Sequence, residues 1–408
     1  MNLTKVKLSD ICIGKGSYGI PASAVPFSDE LYTYLRITDI NDDGTLNLAD
    51  KKSVDDPKAK NYILKENDIV FARTGNSTGR SYFYDSQDGK LVYAGFLIKF
   101  SLDPQKVNPR FIKYYAVSEA YRGWIASFNT GSTRGNINAQ TYANMEIPLP
   151  SRSQQDLAVD ILSSLDSKIR WNTQINHNLE EQAKALFKSW FIDFEPFKDG
   201  EFVDSELGKI PKGWGTESFS NSIKILGGGT PKTTIDEYWN GSIPFFSPKD
   251  TSCNIYALKT EKYISEIGLE NCNSRLYPVD TVFVTARGTV GKIAMAGCPM
   301  AMNQSCYALI GKSEIPQTFV YYTTCFAVNS LKKKANGAVF DAIVTRDFDA
   351  VIVVLPPLFV LNEFNSLIKP LHSKILSNQK ECLLLSQLRD TLLPKLMSGE
   401  IDVSEVEV

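Results

Sequence analysis

Residues 157–190 read LAVDILSSLDSKIRWNTQINHNLEEQAKALFKSW, and the rest of the chain can be interpreted from this stretch. Its mostly apolar side chains recur at steps of three and four residues, which places them on one side of a helix. This stripe consists of Leu157, Ile161, Leu165, Ile169, Asn172, Ile175, Leu179, Ala183, Leu186 and Trp190. A capping sequence begins at Ser151, and Pro196 closes the segment. The pattern predicts one long amphipathic helix within residues 151–197.

The same stripe returns further along the chain, in a second predicted helix within residues 357–408. An offset of 206 residues relates the two copies and pairs Leu165 with Leu371, Ile169 with Ile375, Asn172 with Asn378, and Leu186 with Leu392. Upstream, DIVFARTGNSTGR (68–80) matches DTVFVTARGTVGK (280–292) at equal length. The chain is therefore a diverged duplication, in which each of two similar globules is followed by a similar helix.

A helix of about 40 residues is roughly 60 Å long at 1.5 Å per residue, and its single apolar stripe needs a partner. We expect the two helices to pair as an antiparallel coiled coil whose core contains the eight matched residues. Asn172 and Asn378 lie at equivalent stripe positions. They either set the register of the pair at some cost in stability, or mark partly exposed edges of the two stripes.

The sequence outside the helices mixes strand and helix patterns. Residues 1–150 combine strand-like runs such as NDIVFAR with turn sequences such as NDDG, and residues 214–356 repeat this plan. The predicted fold class is α+β, with two mixed α/β globules and two long helices. The predicted domains are a first globule (1–150), a first helical repeat (151–197), a polar linker (198–213), a second globule (214–356), and a second helical repeat with a C-terminal tail (357–408).

The composition limits the possible functions. With a net charge of −2, the chain cannot hold nucleic acid by bulk electrostatics, so DNA binding must rest on local patches or on partners. The seven cysteines form no C-x-x-C pair, and the N-terminus lacks an apolar signal core. The longest apolar run, 351–361, is interrupted by two prolines. We expect a cytoplasmic protein with reduced thiols, no structural metal and no membrane contact.

Residue patterns that would carry catalysis are nearly absent from the sequence. His177 and His372 lie on the predicted helices, where we expect solvated positions. The string GKGSYG (14–19) has dinucleotide-binding spacing, but Pro21 and Pro26 stand where the helix of such a site should begin. The sequence contains no N/D-P-P-Y/F tetrapeptide of an amino-methyltransferase and no recognisable nuclease cluster. We therefore expect no catalytic residue in this chain.

Two pairs of polar loops occupy matching positions in the two copies. The first pair, 72–80 and 284–292, follows a predicted strand each time and combines glycines with basic side chains. Backbone N–H groups of such loops can approach phosphate, while Arg can bind a guanine edge with two hydrogen bonds. The candidate DNA-binding residues of this pair are Arg73, Thr74, Asn76, Ser77, Thr78, Arg80, Thr285, Arg287, Thr289 and Lys292.

The second pair of loops covers 129–140 and 332–346. Its Asn and Gln side chains suit adenine edges, and its lysine triplet suits a row of phosphates. The candidates here are Thr133, Arg134, Asn136, Asn138, Gln140, Lys332, Lys333, Lys334 and Arg346. Ordinary polar surface loops would explain many of these residues singly. Duplicated loops with different side chains, however, are what two different half-sites require.

Three strings resemble those of a known family, the specificity subunits of type I restriction-modification systems. They are DSELGKIPKGW (204–214), which opens the second globule, LRDTLLPKLMSGEIDV (388–403), which ends the second helix, and EEQAKALFKSWFIDFEPF (180–197), which ends the first. The resemblance covers nearly the whole chain. It implies that each globule is a target-recognition domain for one half of a split DNA site, with the coiled coil as a spacer.

The resemblance also implies the partners. Double-stranded DNA, two modification (methyltransferase) subunits and restriction (translocase and endonuclease) subunits are expected, with S-adenosylmethionine, ATP and Mg bound by those subunits and no cofactor bound by this chain. Two alternatives stay open at this point. One is a free-standing regulator that binds a bipartite DNA site without partners, and the other is a self-sufficient enzyme, for which the sequence offers no donor pocket or metal cluster.

Overall fold

A computed structural model describes residues 3–128, 135–252, 254–334 and 342–401. It consists of two compact units, Met1–Lys168 with Leu385–Val408, and Ile169–Leu384. Each unit contains one globule and a part of both long helices. The helices are α1 (Pro109–Tyr115), α2 (Glu119–Ala126), α3 (Ala139–Ala143), α4 (Arg152–Phe191), α5 (Phe219–Ser222), α6 (Glu266–Glu270), α7 (Gln317–Lys334), α8 (Thr345–Asp349) and α9 (Leu358–Ser398).

The strands of the first unit are β1 (Thr4–Lys7), β2 (Ser17–Tyr18), β3 (Ala24–Pro26), β4 (Tyr32–Leu35), β5 (Lys52–Val54), β6 (Asp68–Ala72), β7 (Ser81–Phe83), β8 (Leu91–Tyr93), β9 (Leu97–Ser101) and β10 (Glu146–Leu149). Those of the second are β11 (Phe202–Ser205), β12 (Gly208–Pro211), β13 (Gly215–Ser218), β14 (Ile223–Gly227), β15 (Trp239–Phe246), β16 (Tyr256–Ala257), β17 (Lys262–Ile264), β18 (Val282–Thr285), β19 (Ile293–Ala296), β20 (Ala301–Met302), β21 (Cys306–Gly311) and β22 (Ile352–Leu355).

The first unit contains two four-stranded sheets, ordered β2-β9-β6-β7 and β3-β5-β4-β8, and an antiparallel pair of β1 with β10. Strand β6, DIVFA, is buried at every position, as expected of an apolar strand with neighbours on both sides. Helix α1 begins after Asn108, whose side chain accepts a hydrogen bond from the Arg110 backbone N–H, with Pro109 in its first turn. Helices α1 to α3 and the sheet share one core that includes Phe71 and Phe111.

The second unit repeats this plan. Strands β13 and β22 pair as β1 and β10 do, a five-stranded sheet runs β14-β21-β18-β19-β16, and a three-stranded sheet runs β17-β15-β20. Helix α7 stands where α1 and α2 stand in the first unit, and α8 corresponds to α3. The predicted duplication of a mixed α/β globule with a following helix is confirmed. The segment 198–213, predicted as a linker, contains the β11–β12 hairpin.

Within the second unit, α4 and α9 run antiparallel. Residues that come later in α4 contact residues that come earlier in α9. The Cys382 thiol donates to the Ile169 carbonyl (3.7 Å), and Asn172 Nδ2 donates to Glu381 Oε2 (2.8 Å). One turn further, Asn378 Nδ2 donates to Asn176 Oδ1 (2.9 Å). This confirms the predicted antiparallel pairing.

The eight predicted core residues lie as follows. Asn172, Ile375 and Asn378 are buried, whereas Leu165, Ile169, Leu186, Leu371 and Leu392 are half-buried. Asn172 and Asn378 bond to Glu381 and Asn176 respectively, and not to each other. The predicted stripe is wrong at Ile175, which is exposed, while its neighbour Asn176 is buried.

In the first unit, the C-terminal part of α9 packs against the first globule. Leu396 and Met397 belong to the same buried cluster as Leu162 of α4 and Phe111 of α1. Arg389 Nη1 donates to Asp166 Oδ1 (3.0 Å), and the Tyr114 hydroxyl donates to Asp166 Oδ2 (2.7 Å). The helix ends before Gly399, whose φ of 73° is the left-handed conformation expected at a helix stop.

The two histidines differ in their surroundings. His177 is exposed, as predicted, but the prediction of a solvated His372 is wrong, since this residue is only 2% exposed. The Tyr322 hydroxyl lies 2.8 Å from His372 Nε2, and the Tyr256 hydroxyl lies 3.4 Å from Nδ1. Burial lowers the pKa of His372 to about 4. The sequence period places His372 on the helix but does not show that the second globule covers it.

Candidate nucleic-acid interface

The first candidate loop leaves the buried strand β6 and returns to β7 through a narrow neck. The Gly79 N–H donates to the Ala72 carbonyl (2.9 Å), and the Ala72 N–H donates to the Arg80 carbonyl (2.8 Å). Gly79 has φ 88°, and a Cβ there would meet the Ile125 side chain at 2.6 Å, so only glycine fits. The neck closes residues 73–78 into a loop between β6 and β7.

Two buried tyrosines hold this neck. The Tyr121 hydroxyl donates to the Gly79 carbonyl (2.7 Å), and the Tyr142 hydroxyl donates to the Ala72 carbonyl (3.0 Å). Burial raises the pKa of both phenols, so both remain protonated donors at neutral pH. The core of the first unit therefore helps to fix the loop through these two phenol hydroxyls.

Arg73 lies at the start of the loop and is half-buried. Its guanidinium carbon stands 5.0 Å from the centre of the Tyr18 ring, and its Nε and Nη2 donate to Asn136 Oδ1 at 3.4 Å each. A guanidinium has five N–H donors, so donors remain for a base edge or a phosphate. The contact with Tyr18 and the bonds to Asn136 restrain the position of the guanidinium, which can still make a bidentate contact.

The structure brings the two predicted loops of the first unit together. The Ile137 N–H donates to the Arg73 carbonyl (2.9 Å), and Thr74 forms a bridge with Asn136. Asn76 and Gln140 are exposed on these loops and bond to no other described side chain. Thr133 and Arg134 lie outside the described residues.

Several residues of the first unit that were predicted to contact DNA instead bond to groups of the same unit. Arg80 Nε donates to Asp42 Oδ1 (2.7 Å) and its Nη1 to the Ile40 carbonyl (3.0 Å). The Thr78 hydroxyl lies 2.8 Å from the Gly75 carbonyl and 2.9 Å from the Gly135 carbonyl. Ser77 is buried, which corrects its prediction as a DNA contact. Asn138 caps α3, because its Oδ1 accepts from the Thr141 N–H (2.8 Å).

Two aromatic residues that the sequence analysis missed stand beside Arg73. Tyr18 supplies the ring under the guanidinium, and its hydroxyl accepts a hydrogen bond from the Ala139 N–H (3.2 Å). Phe96 is 58% exposed, and its carbonyl accepts from the Arg73 N–H (3.0 Å). An aromatic side chain flanked by glycine and a buried strand, as in AGFLIKF (94–100), was the available signal for Phe96.

The same backbone hydrogen bonds hold the loop of the second unit, and we call this shared set of bonds the frame. The Gly291 N–H donates to the Thr285 carbonyl (2.8 Å), as Gly79 does to Ala72, and the Ile343 N–H donates to the Ala286 carbonyl (2.9 Å), as Ile137 does to Arg73. Arg287 forms a bridge with Ala342, as Thr74 does with Asn136. In three dimensions Arg73 thus corresponds to Ala286, and Thr74 to Arg287.

The side chains on this second frame differ from those on the first. Arg287, Thr289 and Lys292 are exposed. Thr285 is fully buried and its hydroxyl donates to the Thr289 carbonyl, so its prediction as a DNA contact is wrong. Lys332 Nζ donates to the Gly291 carbonyl (2.9 Å), which supports the neck.

The remaining predicted residues of the second unit are placed only in part. Lys333 and Arg346 are exposed, and Lys334 ends α7. A polar pair that the sequence analysis missed lies next to the loop: the Thr230 hydroxyl donates to Gln304 Oε1, and the Ala286 N–H donates to the carbonyl of the adjacent Ser305 (2.7 Å). The GGGTPKT string (227–233) was the available signal for this pair, because glycines next to Thr and Lys are typical of loops that approach a ligand.

The described residues contain neither a metal-binding cluster nor a membrane-spanning helix. In these residues no three His, Cys, Asp or Glu side chains come together in a way that could hold a metal ion. None of the helices in the same residues is long and apolar enough to cross a membrane.

Comparisons with known proteins agree with this architecture. The family model described as "Type I restriction modification DNA specificity domain" matches residues 2–181 and again 211–385. The MjaIX specificity subunit of Methanocaldococcus jannaschii, a type I restriction enzyme subunit, is 30% identical, over 74% of this chain and 71% of its own length. The HindI specificity subunit of Haemophilus influenzae is 25% identical, over 85% of this chain and 89% of its own.

A solved structure supports the fold. The type I restriction-modification S subunit from M. genitalium superposes with a TM-score of 0.60 over 97% of this chain and 96% of its own, at 15% identity. Two consecutive matches to the family model cover most of the sequence, and they coincide with the duplicated globule and helix. The chain therefore belongs to the type I restriction-modification DNA specificity family.

Proposed function

We propose that this chain reads a bipartite DNA target, with the loops of each unit contacting one half of the site. The observation that carries the proposal is the shared backbone frame with different side chains: Arg73 on Tyr18 in the first unit, and Ala286 followed by an exposed Arg287 in the second. Because the two loops have the same backbone frame, each would approach its half of the DNA site in the same way. Unequal side chains make the two half-sites different in sequence.

Local cations must supply the attraction to phosphate, because the net charge is only −2. Arg73 near the first loop, and Arg287, Lys292 and Lys333 near the second, are the cations that we assign to this role, and the Arg73 guanidinium is also assigned to a base edge. The exposed ring of Phe96 suits contact with a thymine methyl group. Arg80 and Lys332 are assigned to loop support, since both bond to backbone carbonyls of their own unit.

The chain is proposed to be non-catalytic, and to act in the cytoplasm as the DNA-recognition scaffold of a larger complex. Methyl transfer is assigned to two modification subunits and cleavage to restriction subunits, which would bind S-adenosylmethionine, ATP and Mg. Support comes from family membership and from the donor chemistry of the described residues, which offer no metal cluster. This division of labour agrees with the backbone frame that the two units share, which carries polar and basic loops in both.

The test is reconstitution with a modification subunit and radiolabelled S-adenosylmethionine. We expect the purified chain alone to transfer no methyl group, and the complex to methylate one split sequence. Transfer by the chain alone would show that it is itself an enzyme. Tight, sequence-specific binding of DNA by the chain without any modification subunit would instead favour the free-standing regulator.

A further inference from the structure

An apolar cavity of 180 Å³ lies in the second unit, apart from the loops assigned to DNA. The end of α4, the β11–β12 hairpin, α7 and β22 form its walls. Phe187, Phe191, Ile210 and Phe319 are all buried wall residues. The site is therefore built from the second globule, the hairpin that precedes it and the end of α4.

One polar group faces this apolar surface. Thr323 lines the cavity and is 3% exposed, and its hydroxyl has no hydrogen-bond partner among the described residues. The adjacent Thr324 behaves ordinarily, since its hydroxyl donates to the Val320 carbonyl (2.6 Å) one turn back in the same helix. A buried hydroxyl without a partner is costly and needs an explanation. A ligand group that enters the cavity and pairs with Thr323 would supply one.

The mouth of the cavity indicates what kind of ligand this is. Ile192, Leu207 and Phe326 line it and are 43%, 46% and 43% exposed. Large apolar side chains around a pocket are typical of protein interfaces, where one anchoring side chain fills the pocket and the surrounding residues exclude water. A free small molecule would leave most of this rim in water.

Two lysines close in sequence to the lining residues Phe187 and Phe194 are paired with carboxylates. Lys188 pairs with Asp193, and Lys198 pairs with Glu195 at 2.7 Å. The residues that line the cavity carry no charge that would attract an ionic group. The occupant that fits is uncharged, largely apolar, and carries a single hydrogen-bonding atom.

We propose that the cavity receives the phenol side chain of a tyrosine from a partner subunit of the complex. The ring packs against Phe187, Phe191 and Phe319, and the phenol oxygen pairs with the Thr323 hydroxyl. Tyrosine is among the residues most enriched at such anchoring positions, because it buries a large rigid surface and keeps one polar atom. The inference rests on the proposed function in one respect, namely that the chain assembles with modification subunits.

The cavity itself is tested on the full-length chain with two probes, p-cresol and toluene, which differ by the hydroxyl. Ligand-observed NMR should show p-cresol binding about five- to tenfold more tightly than toluene, as expected for one net hydrogen bond. Thr323→Val, which keeps the shape, should abolish this preference while toluene still binds. The same variant should raise the melting temperature of the free chain. Equal binding of the two probes by the wild type, or an unchanged preference in Thr323→Val, would overturn the pairing.

Docking is tested by assembly with a modification subunit. Leu207→Asp places a charge on the exposed rim and should weaken assembly at least tenfold, whereas the matched control Ile267→Asp, at a residue 48% exposed on α6, should change it less than twofold. If the wild type assembles and both variants assemble equally, the docking inference fails while the proposed function stands. If the wild type forms no complex at all, the proposed function fails and the docking fails with it.

Discussion

Arg73 and Arg80 lie in the same loop but have different roles, and single substitutions distinguish DNA recognition from loop support. Arg73→Ala removes a guanidinium with free donors, so binding to one position of the first half-site should weaken by about 1–3 kcal/mol. Arg80→Ala removes an ion pair with Asp42 and a bond to the Ile40 carbonyl, so it should lower stability by about 1 kcal/mol. Affinities of the assembled complex for duplexes with single base changes, and urea unfolding of the chain, measure the two effects. Equal loss of base selectivity in both variants would contradict the assignment.

His372 gives the second unit a defined response to acid. Its pKa is lowered to about 4 by burial, against about 6.5 in an unfolded chain, so the folded state holds the neutral form. The contribution of the neutral His372 to the free energy of unfolding is fully present above pH 6.5. It is lost as the pH drops towards 4, because the histidine of the unfolded chain binds a proton at a higher pH than that of the folded chain. The expected loss is about 3 kcal/mol at most. Urea unfolding at pH 7 and pH 4.5 checks this.

His372→Gln, which cannot titrate, should flatten that pH dependence, and His177→Gln at an exposed position should leave it unchanged. An equally steep dependence in His372→Gln would assign the effect to other groups.

At the scale of single residues, the sequence predicted where the loops lie but not which side chains are free. Composition and the duplication identified residues 72–80 and 284–292, because glycines and basic residues after a strand are a local signal. Whether Arg80 or Asn138 faces solvent depends on Asp42 and on the start of α3, which are tertiary contacts. The equal-length match of 68–80 with 280–292 pairs Gly79 with Gly291 correctly but is one residue off at the start of the loops, since Arg73 corresponds to Ala286 in space.

The polar layer between α4 and α9 is the element-scale feature most open to experiment. Asn378 is buried, donates to Asn176, and keeps one oxygen without a hydrogen-bond partner among the described residues. Asn378→Leu should destabilise the second unit by about 1–3 kcal/mol, because Asn176 Oδ1 then loses its donor in a buried site. Adding Asn176→Leu should recover most of that loss, since two apolar side chains replace two polar ones. Chemical unfolding in a double-mutant cycle measures the coupling, and additive losses would contradict a shared layer.

Helix periodicity, together with the 206-residue offset, was enough to predict α4 and α9 and their antiparallel pairing. The prediction is wrong at Ile175. Steps of three and four residues do not follow a helix of 3.6 residues per turn for its whole length, so Asn176 and not Ile175 is buried in the structure. The polar sequence of the β11–β12 segment predicts a linker and not a hairpin. Only the burial of Ile210 and Trp214 against aromatic residues of the second unit makes it part of a folded body.

At the scale of the whole molecule, each globule needs the helix of the other copy. Leu396 and Met397 of α9 complete the core of the first unit, and the 206-residue offset relates them to Trp190 and Phe191. A half-length chain, residues 1–198, should therefore dimerise with two-fold symmetry and use those two residues in their place. Sedimentation should give a dimer, and Trp190→Asp should yield an unstable monomer. A folded half-length monomer would show that the helices are not each other's partners.

The central claim is that one chain reads two half-sites independently. Its most direct test is a genome-wide methylation map of cells whose chain carries the residues 1–150 of another family member, with residues 151–408 and the modification subunits unchanged. We predict a methylated sequence in which one half is new, the other half is retained, and the gap between them is the same length. A map in which both halves change, or neither does, would contradict the account.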